Sequence, residues 1–167
     1  MPGFPAGSPT LSFALSGHRG HLLNRQQNQQ KPVKANPKII VVDDDSFFLT
    51  LMEDVLARQG YDVVLVEDSS EALGKILDNR PDLIITDLCM DCYSGLALIS
   101  ELRTHWPVDC PPILVVTGMD LQSFLTSDEY STLGEFEVLA KPFRTASLLD
   151  SVERQLAAEN HPYAVLA

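Results

Sequence analysis

The chain has 167 residues, 12 Lys or Arg against 23 Asp or Glu, and a formal net charge of -11, enough length for one domain with a full core plus extensions. Five basic residues (Arg19, Arg25, Lys31, Lys34, Lys38) and no acid precede Ile39, so seven basic residues face 23 acids in the remainder, a formal -16. That acidity argues against direct DNA binding, which relies on clustered basic side chains. Three cysteines are too few and too odd for a secreted disulfide framework and point to a reducing, cytoplasmic compartment; no apolar run reaches the roughly 20 residues needed for membrane insertion as a helix.

Residues 1–37 are rich in Gly, Pro, Gln and Asn (MPGFPAGSPT, GHRGH, NRQQNQQKP). They hold too little periodic apolar surface to offset the entropy of ordering them, and are expected to be a disordered extension. From Lys38 onward strand and helix signals alternate. KIIVV (38–42) predicts a strand, and Asp45 or Ser46 then caps a helix in which Phe48, Leu51, Met52, Val55 and Leu56 recur at helical spacing as far as Gly60. YDVVLVE (61–67), SSEALGKILDN (69–79), DLIITD (82–87) and SGLALISELRTHW (94–106) continue the alternation. PPILVVTG (111–118), FLTSDEYSTLG (124–134), FEVLAKP (136–142) and RTASLLDSVERQLAAE (144–159) complete five strand-helix units. Strands this apolar, each followed by an amphipathic helix, predict an α/β doubly wound domain over residues 38–158, a five-stranded parallel sheet with helices on both faces. Residues 159–167 are left as a short C-terminal tail.

Ligands of such sheets gather beyond the carboxyl ends of the strands. The residues there are Asp43-Asp44-Asp45, Asp87, Thr117-Gly118 and Lys141-Pro142, with Glu67-Asp68 off to the side. Clustered carboxylates repel and need a cation or a proton; two of them about 4 Å apart cost about 4 kcal/mol at an effective dielectric of 20. Oxygen-only ligands suit a hard divalent ion, Mg²⁺ rather than zinc. With its charge balanced, Asp87 stays ionised and nucleophilic toward phosphorus, Lys141 offers a point charge to one phosphoryl oxygen and Thr117 a hydroxyl to another.

In VVDDDS, ITDLCMDCYSG, VVTG and LAKPF, residues 38 to about 157 resemble the receiver domain of two-component response regulators. The resemblance implies sheet order 2-1-3-4-5, a phosphoacceptor at Asp87, an acidic metal pair at Asp43 and Asp44, and the hydroxyl and lysine positions at Thr117 and Lys141. It implies Mg²⁺ held by Asp43, Asp44, Asp87 and the backbone carbonyl of Cys89. The implied partners are a histidine kinase or histidine phosphotransfer protein as donor and a downstream protein as recipient of the signal, because the tail is too short for an output domain and a stand-alone receiver is expected; the chain itself is then a phosphoacceptor that assists its own phosphorylation and dephosphorylation, and not an enzyme.

The chain departs from that pattern at two places. Met90-Asp91 stands where the family usually has Met-Pro, and Val138 stands three residues before the lysine, where an aromatic often serves as a switch; a valine has no comparable swing. IIVVDDDSF also resembles the first motif of haloacid-dehalogenase-type phosphatases, with Asp43 as nucleophile and Asp45 as acid, but that reading leaves Asp87 unemployed. A non-phosphorylated receiver-like scaffold is the third alternative. Cys89 and Cys92 form a CxxC, whose zinc reading lacks ligands because His105 and Cys110 follow the far end of a helix, roughly 15 to 18 Å away; incidental small residues are expected, with a redox role left open. Phe47 and Leu49 fall off the helical stripe and are expected to be exposed beside the acidic rim.

Overall fold

The computed structural model describes residues 36–91, 93–119 and 136–157. Five strands, β1 Lys38–Val42, β2 Asp62–Val66, β3 Leu83–Thr86, β4 Ile113–Thr117 and β5 Glu137–Ala140, form one sheet in the order β2-β1-β3-β4-β5. Every neighbouring pair is parallel. Four helices are described: α1 Ser46–Ala57, α2 Ala72–Asn79, α3 Gly95–His105 and α4 Thr145–Ala157. The expected extension at 1–37 (described only from residue 36), the tail at 159–167 and a helix over 124–134 lie outside the described residues.

Alternation along the strands sorts the core into two layers, because successive side chains point to opposite faces. Ile40, Val42, Ile84 and Val115 pack with Ala72 and Ile76 of α2 and Leu98, Ile99 and Leu102 of α3. On the other face Ile39, Val41, Ile85, Leu114 and Val116 pack with Leu49, Met52 and Leu56 of α1 and Leu148 and Val152 of α4. Both faces are covered, which is why the strands read as unbroken apolar runs.

Local chemistry sets the helix starts. Asp45 caps α1, its Oδ1 accepting from the N–H groups of Phe47 (2.9 Å) and Phe48 (3.2 Å). Ser94 does the same for α3, accepting from Leu96 N–H at 3.2 Å. Ahead of α2 the chain makes a single 3-10 turn, Ser69–Glu71, because Asp68 holds both the N–H and the hydroxyl of Ser70. Beyond α1 the chain turns at Gly60, whose φ of 87° favours a residue without a Cβ.

The exposed stripe of α1 differs from the expectation at two residues, which exchange places. Leu49 is buried (4% exposed) and Leu51 is out (53%), beside Phe47 (87%). Leu49, Met52 and Leu56 follow i, i+3, i+7 and share the sheet-facing side, whereas Phe47 and Leu51 are i, i+4 neighbours on the opposite one.

The outer strand is tied to the last helix by a half-buried carboxylate. Glu137 Oε1 accepts from Ser151 Oγ (2.6 Å) and Arg154 Nη2 (2.6 Å), and Oε2 from Gln155 Nε2 (2.8 Å). Burial works against its ionisation, but the three donors outweigh it and hold its pKa below the ordinary 4.5. A depressed folded-state pKa adds stability above the unfolded value, and that contribution disappears as pH falls through the folded value. Glu137→Gln is therefore expected to cost about 1 kcal/mol near neutral pH. Its difference from wild type should narrow as pH falls from 4.5 through the lower folded-state value, as read from urea unfolding at a series of pH values; a constant difference would refute the assignment.

Candidate functional site

Strand register determines where the chemistry-bearing residues emerge. Val42 pairs with Thr86, Thr86 with Val115 and Thr117 with Ala140, so the residues after β1, β3 and β5 leave the sheet at the same edge as Thr117, the last residue of β4. Main-chain bonds continue past the strands: Asp43 N–H donates to Val66 O (3.2 Å), Asp87 N–H to Val42 O (3.1 Å) and Lys141 N–H to Thr117 O (2.7 Å). These residues are thus positioned by backbone, not only by side-chain contacts.

Lys141 starts two strand spacings, about 10 Å, from β3, and its stem has to span the end of β4. Its Nζ donates to Asp43 Oδ2 at 2.6 Å and to Asp87 Oδ2 at 2.9 Å. The same ammonium lies 3.9 Å from the ring centroid of Phe48, which packs edge-on against Phe143 at 6.1 Å. Asp43 is 1% exposed, Asp87 9% and Thr117 fully buried.

One ammonium shared between two carboxylates leaves an imbalance. Burial pushes the Asp43 carboxyl above the ordinary range, the charge of Asp87 adds to it, and bonds from Lys141 and from Asp45 N–H only partly oppose the shift. Burial also works against the Lys141 ammonium, but its two carboxylate partners outweigh it and raise its pKa, so it stays charged.

The loop after β3 is organised by Asp87 itself. Its Oδ1 accepts from the N–H groups of Leu88 and Cys89, and Oδ2 is left facing Lys141. Gly95 closes the loop, donating its N–H to Leu88 O at 3.1 Å. A Cβ on Gly95 would lie 2.0 Å from the Asp87 carbonyl oxygen and 2.9 Å from Leu88 Cα, both backbone atoms, so the position behind Asp87 requires a glycine. Exposed Asp44 is engaged by the same loop, its Oδ2 accepting from Asp91 N–H at 2.8 Å.

A family model described as the response regulator receiver domain matches residues 39–153. The chain belongs to the response regulator receiver domain family. Among curated relatives, this receiver domain is 37% identical over 103 residues to the alkaline phosphatase synthesis transcriptional regulatory protein PhoP of Bacillus subtilis, covering 58% of this chain and 42% of that one. It is 31% identical to the transcriptional regulatory protein PrrA of Mycobacterium tuberculosis, covering 72% and 50%. The chain thus spans half or less of the length of these relatives. Among solved structures, the chemotaxis response regulator CheY4 of Vibrio cholerae is 28% identical with a TM-score of 0.64, covering 72% of this chain and 98% of that one. The non-phosphorylated HemR receiver domain of Leptospira biflexa is 26% identical with a TM-score of 0.65, covering 77% and 99%.

Of the residues singled out in the receiver's sequence, Asp43, Asp87 and Lys141 are in direct contact, and Thr117 ends the strand between β3 and β5. Asp44 is at the rim but engaged by the loop, and Cys89 contributes its N–H to Asp87. Asp45 caps α1, which occupies the carboxylate that a haloacid-dehalogenase reading would use as its acid. Among the described residues no three His, Cys, Asp or Glu side chains stand together as a metal-holding group: Lys141 lies between two of the acids and Asp91 holds the third. Burial, followed by the charges of Asp87 and Asp44, pushes the Cys89 thiol up, away from the thiolate that redox chemistry needs; Cys92 lies outside the described residues. Sequence reasoning missed Phe48 beneath the ammonium and the Asp91 N–H, since neither a ring face nor a main-chain donor is marked by residue type.

Gly95→Ala is expected to destabilise the domain by about 1–3 kcal/mol, the usual cost of forcing atoms into a filled position. Urea unfolding checks it, and a variant within about 0.5 kcal/mol of wild type would show that the loop gives way freely.

Proposed function

We propose that this receiver domain takes a phosphoryl group onto Asp87 from a phosphohistidine donor, a histidine kinase or a histidine phosphotransfer protein, and signals to a downstream protein partner. The observation that carries the reading is the Lys141 ammonium set between Asp43 and Asp87. With Oδ1 held by two main-chain N–H groups, Oδ2 is the nucleophile: it forms the new O–P bond as the donor's P–N bond breaks in line and the electron pair leaves on the imidazole. Lys141 passes from Oδ2 to a phosphoryl oxygen, over a distance that a flexible stem covers. Thr117 Oγ1 accepts from Met119 N–H at 3.3 Å, which leaves its own hydrogen for a second phosphoryl oxygen.

The chemistry of the donors suits Mg²⁺, which would draw them together once Lys141 and the Asp91 N–H give up the acids they hold. Asp43, Asp44, Asp87 and the Cys89 carbonyl offer only oxygen, three carboxylates exceed one ammonium by two charges, and buried Asp43 is undercompensated. Bound there, Mg²⁺ would neutralise charge on the transferring phosphoryl group. The domain acts as a phosphoacceptor that assists its own phosphorylation and dephosphorylation in the cytoplasm, and its net acidity favours protein partners over direct contact with DNA. No helix among the described residues is long and apolar enough to cross a membrane.

Incubation with acetyl phosphate and Mg²⁺, followed by intact mass, tests the reading. One phosphoryl group is expected on wild type and none on Asp87→Asn. Multiple turnover that survives Asp87→Asn would point to phosphatase chemistry at Asp43, and no addition to a scaffold.

The docking face for the donor is the outer side of α1, where Phe47 and Leu51 stand beside Thr50, Glu53, Asp54 and Ala57 in a shallow open groove. Phe47→Ser with Leu51→Ser should slow transfer from a phosphorylated histidine phosphotransfer domain by about tenfold, as for loss of one apolar anchor. The rate from acetyl phosphate should not change, because that donor needs no protein contact; equal rates from the protein donor would refute the face.

A further inference from the structure

We propose that the main-chain N–H of Asp91 is a latch on Asp44 that sets the affinity of the site for a divalent cation. The proposal rests on the metal reading of Asp43, Asp44 and Asp87 above. Asp44 Oδ2 accepts from Asp91 N–H at 2.8 Å, between residues 47 apart in sequence, and a carboxylate acceptor makes this bond stronger than a neutral one. It turns the Asp44 carboxylate to the loop between β3 and α3, while Lys141 holds the other two acids. For Asp44 to offer that oxygen to a cation, the bond to Asp91 has to be given up or shared.

The donor exists because residue 91 is not proline, which has no N–H. The side chain of Asp91 acts separately and in the opposite direction: it is exposed near the rim, and its negative charge favours a cation. Two effects of opposite sign therefore sit on one residue, one in the backbone and one in the side chain. Asp91→Ala removes the charge and keeps the N–H; Asp91→Pro removes both.

Calorimetric titration of the full chain with Mg²⁺ separates them. Asp91→Ala is expected to bind more weakly than wild type, and Asp91→Pro more tightly than Asp91→Ala by about 3- to 10-fold, the equivalent of one water-exposed hydrogen bond. A second measurement uses wild type alone: the Asp91 amide should be protected from hydrogen exchange without Mg²⁺ and exchange faster when Mg²⁺ saturates the site. Equal affinity of the two variants, or an Asp91 amide indifferent to Mg²⁺, overturns the latch; if Asp91→Pro does not fold, the amide measurement decides. Failure of wild type and both variants to bind Mg²⁺ overturns instead the metal reading beneath it.

Discussion

The Nζ atom of Lys141, 2.6 Å from Asp43 and 2.9 Å from Asp87, makes a three-centre ion pair on which the geometry of the rim depends. Two carboxylates held about 5 Å apart repel by about 3 kcal/mol at an effective dielectric of 20, while each attraction to an ammonium at contact distance is larger. The arrangement therefore holds only with the cation between the acids. Asp43, at 1% exposure, has almost no water to fall back on, and an unpaired charge there would be costly. The three charges arrive on three different strands, so their meeting is a statement about register: a slip of one residue between β4 and β5 would turn Lys141 to the other face of the sheet.

This constraint explains features that look unrelated along the chain. Gly95 lies behind Asp87 because the loop has to return close enough to hold the backbone from which Asp87 projects. Glu137 opens β5 and is clamped by three donors on α4, which anchors the strand that carries Lys141 at its other end. Main-chain bonds from Asp87 to β1 and from Lys141 to β4 do for the site what side-chain contacts alone would do less rigidly. The rigidity lies in the sheet, and the adjustable parts are the lysine stem, the Asp44 carboxylate and the loop.

Most of this was legible because both strands and site announce themselves by residue type. Unbroken apolar runs marked a sheet covered on both faces, and the acids, hydroxyl and lysine at consecutive strand ends marked the rim. Boundaries shifted where side chains competed with the backbone, as where Asp68 and Ser70 made a 3-10 turn of the three residues that read as the start of α2. The buried stripe of α1 was misjudged at Leu49 and Leu51, because two leucines two residues apart are chemically alike and only the angle at which the helix meets the sheet decides which one is covered. Asp44's engagement was not readable either, since its partner is a main-chain group that every residue but proline carries.

Position 138 bears on how a change at Asp87 reaches the surface. Val138 is half-buried against the core layer beneath α2 and α3, and a β-branched side chain there has one favoured rotamer to keep. What touches the ammonium directly, apart from the acids, is Phe48 on α1, and Phe48 touches Phe143 just ahead of α4. A cation over a partly desolvated ring is worth about 1–2 kcal/mol, and that attraction falls away once the two separate beyond about 6 Å. Displacement of Lys141 would loosen its contact with Phe48 on α1, and Phe48 in turn packs on Phe143, ahead of α4. The same helix carries the exposed Phe47 and Leu51, so one aromatic ring connects the ion-paired rim to the helix that presents the outer apolar surface.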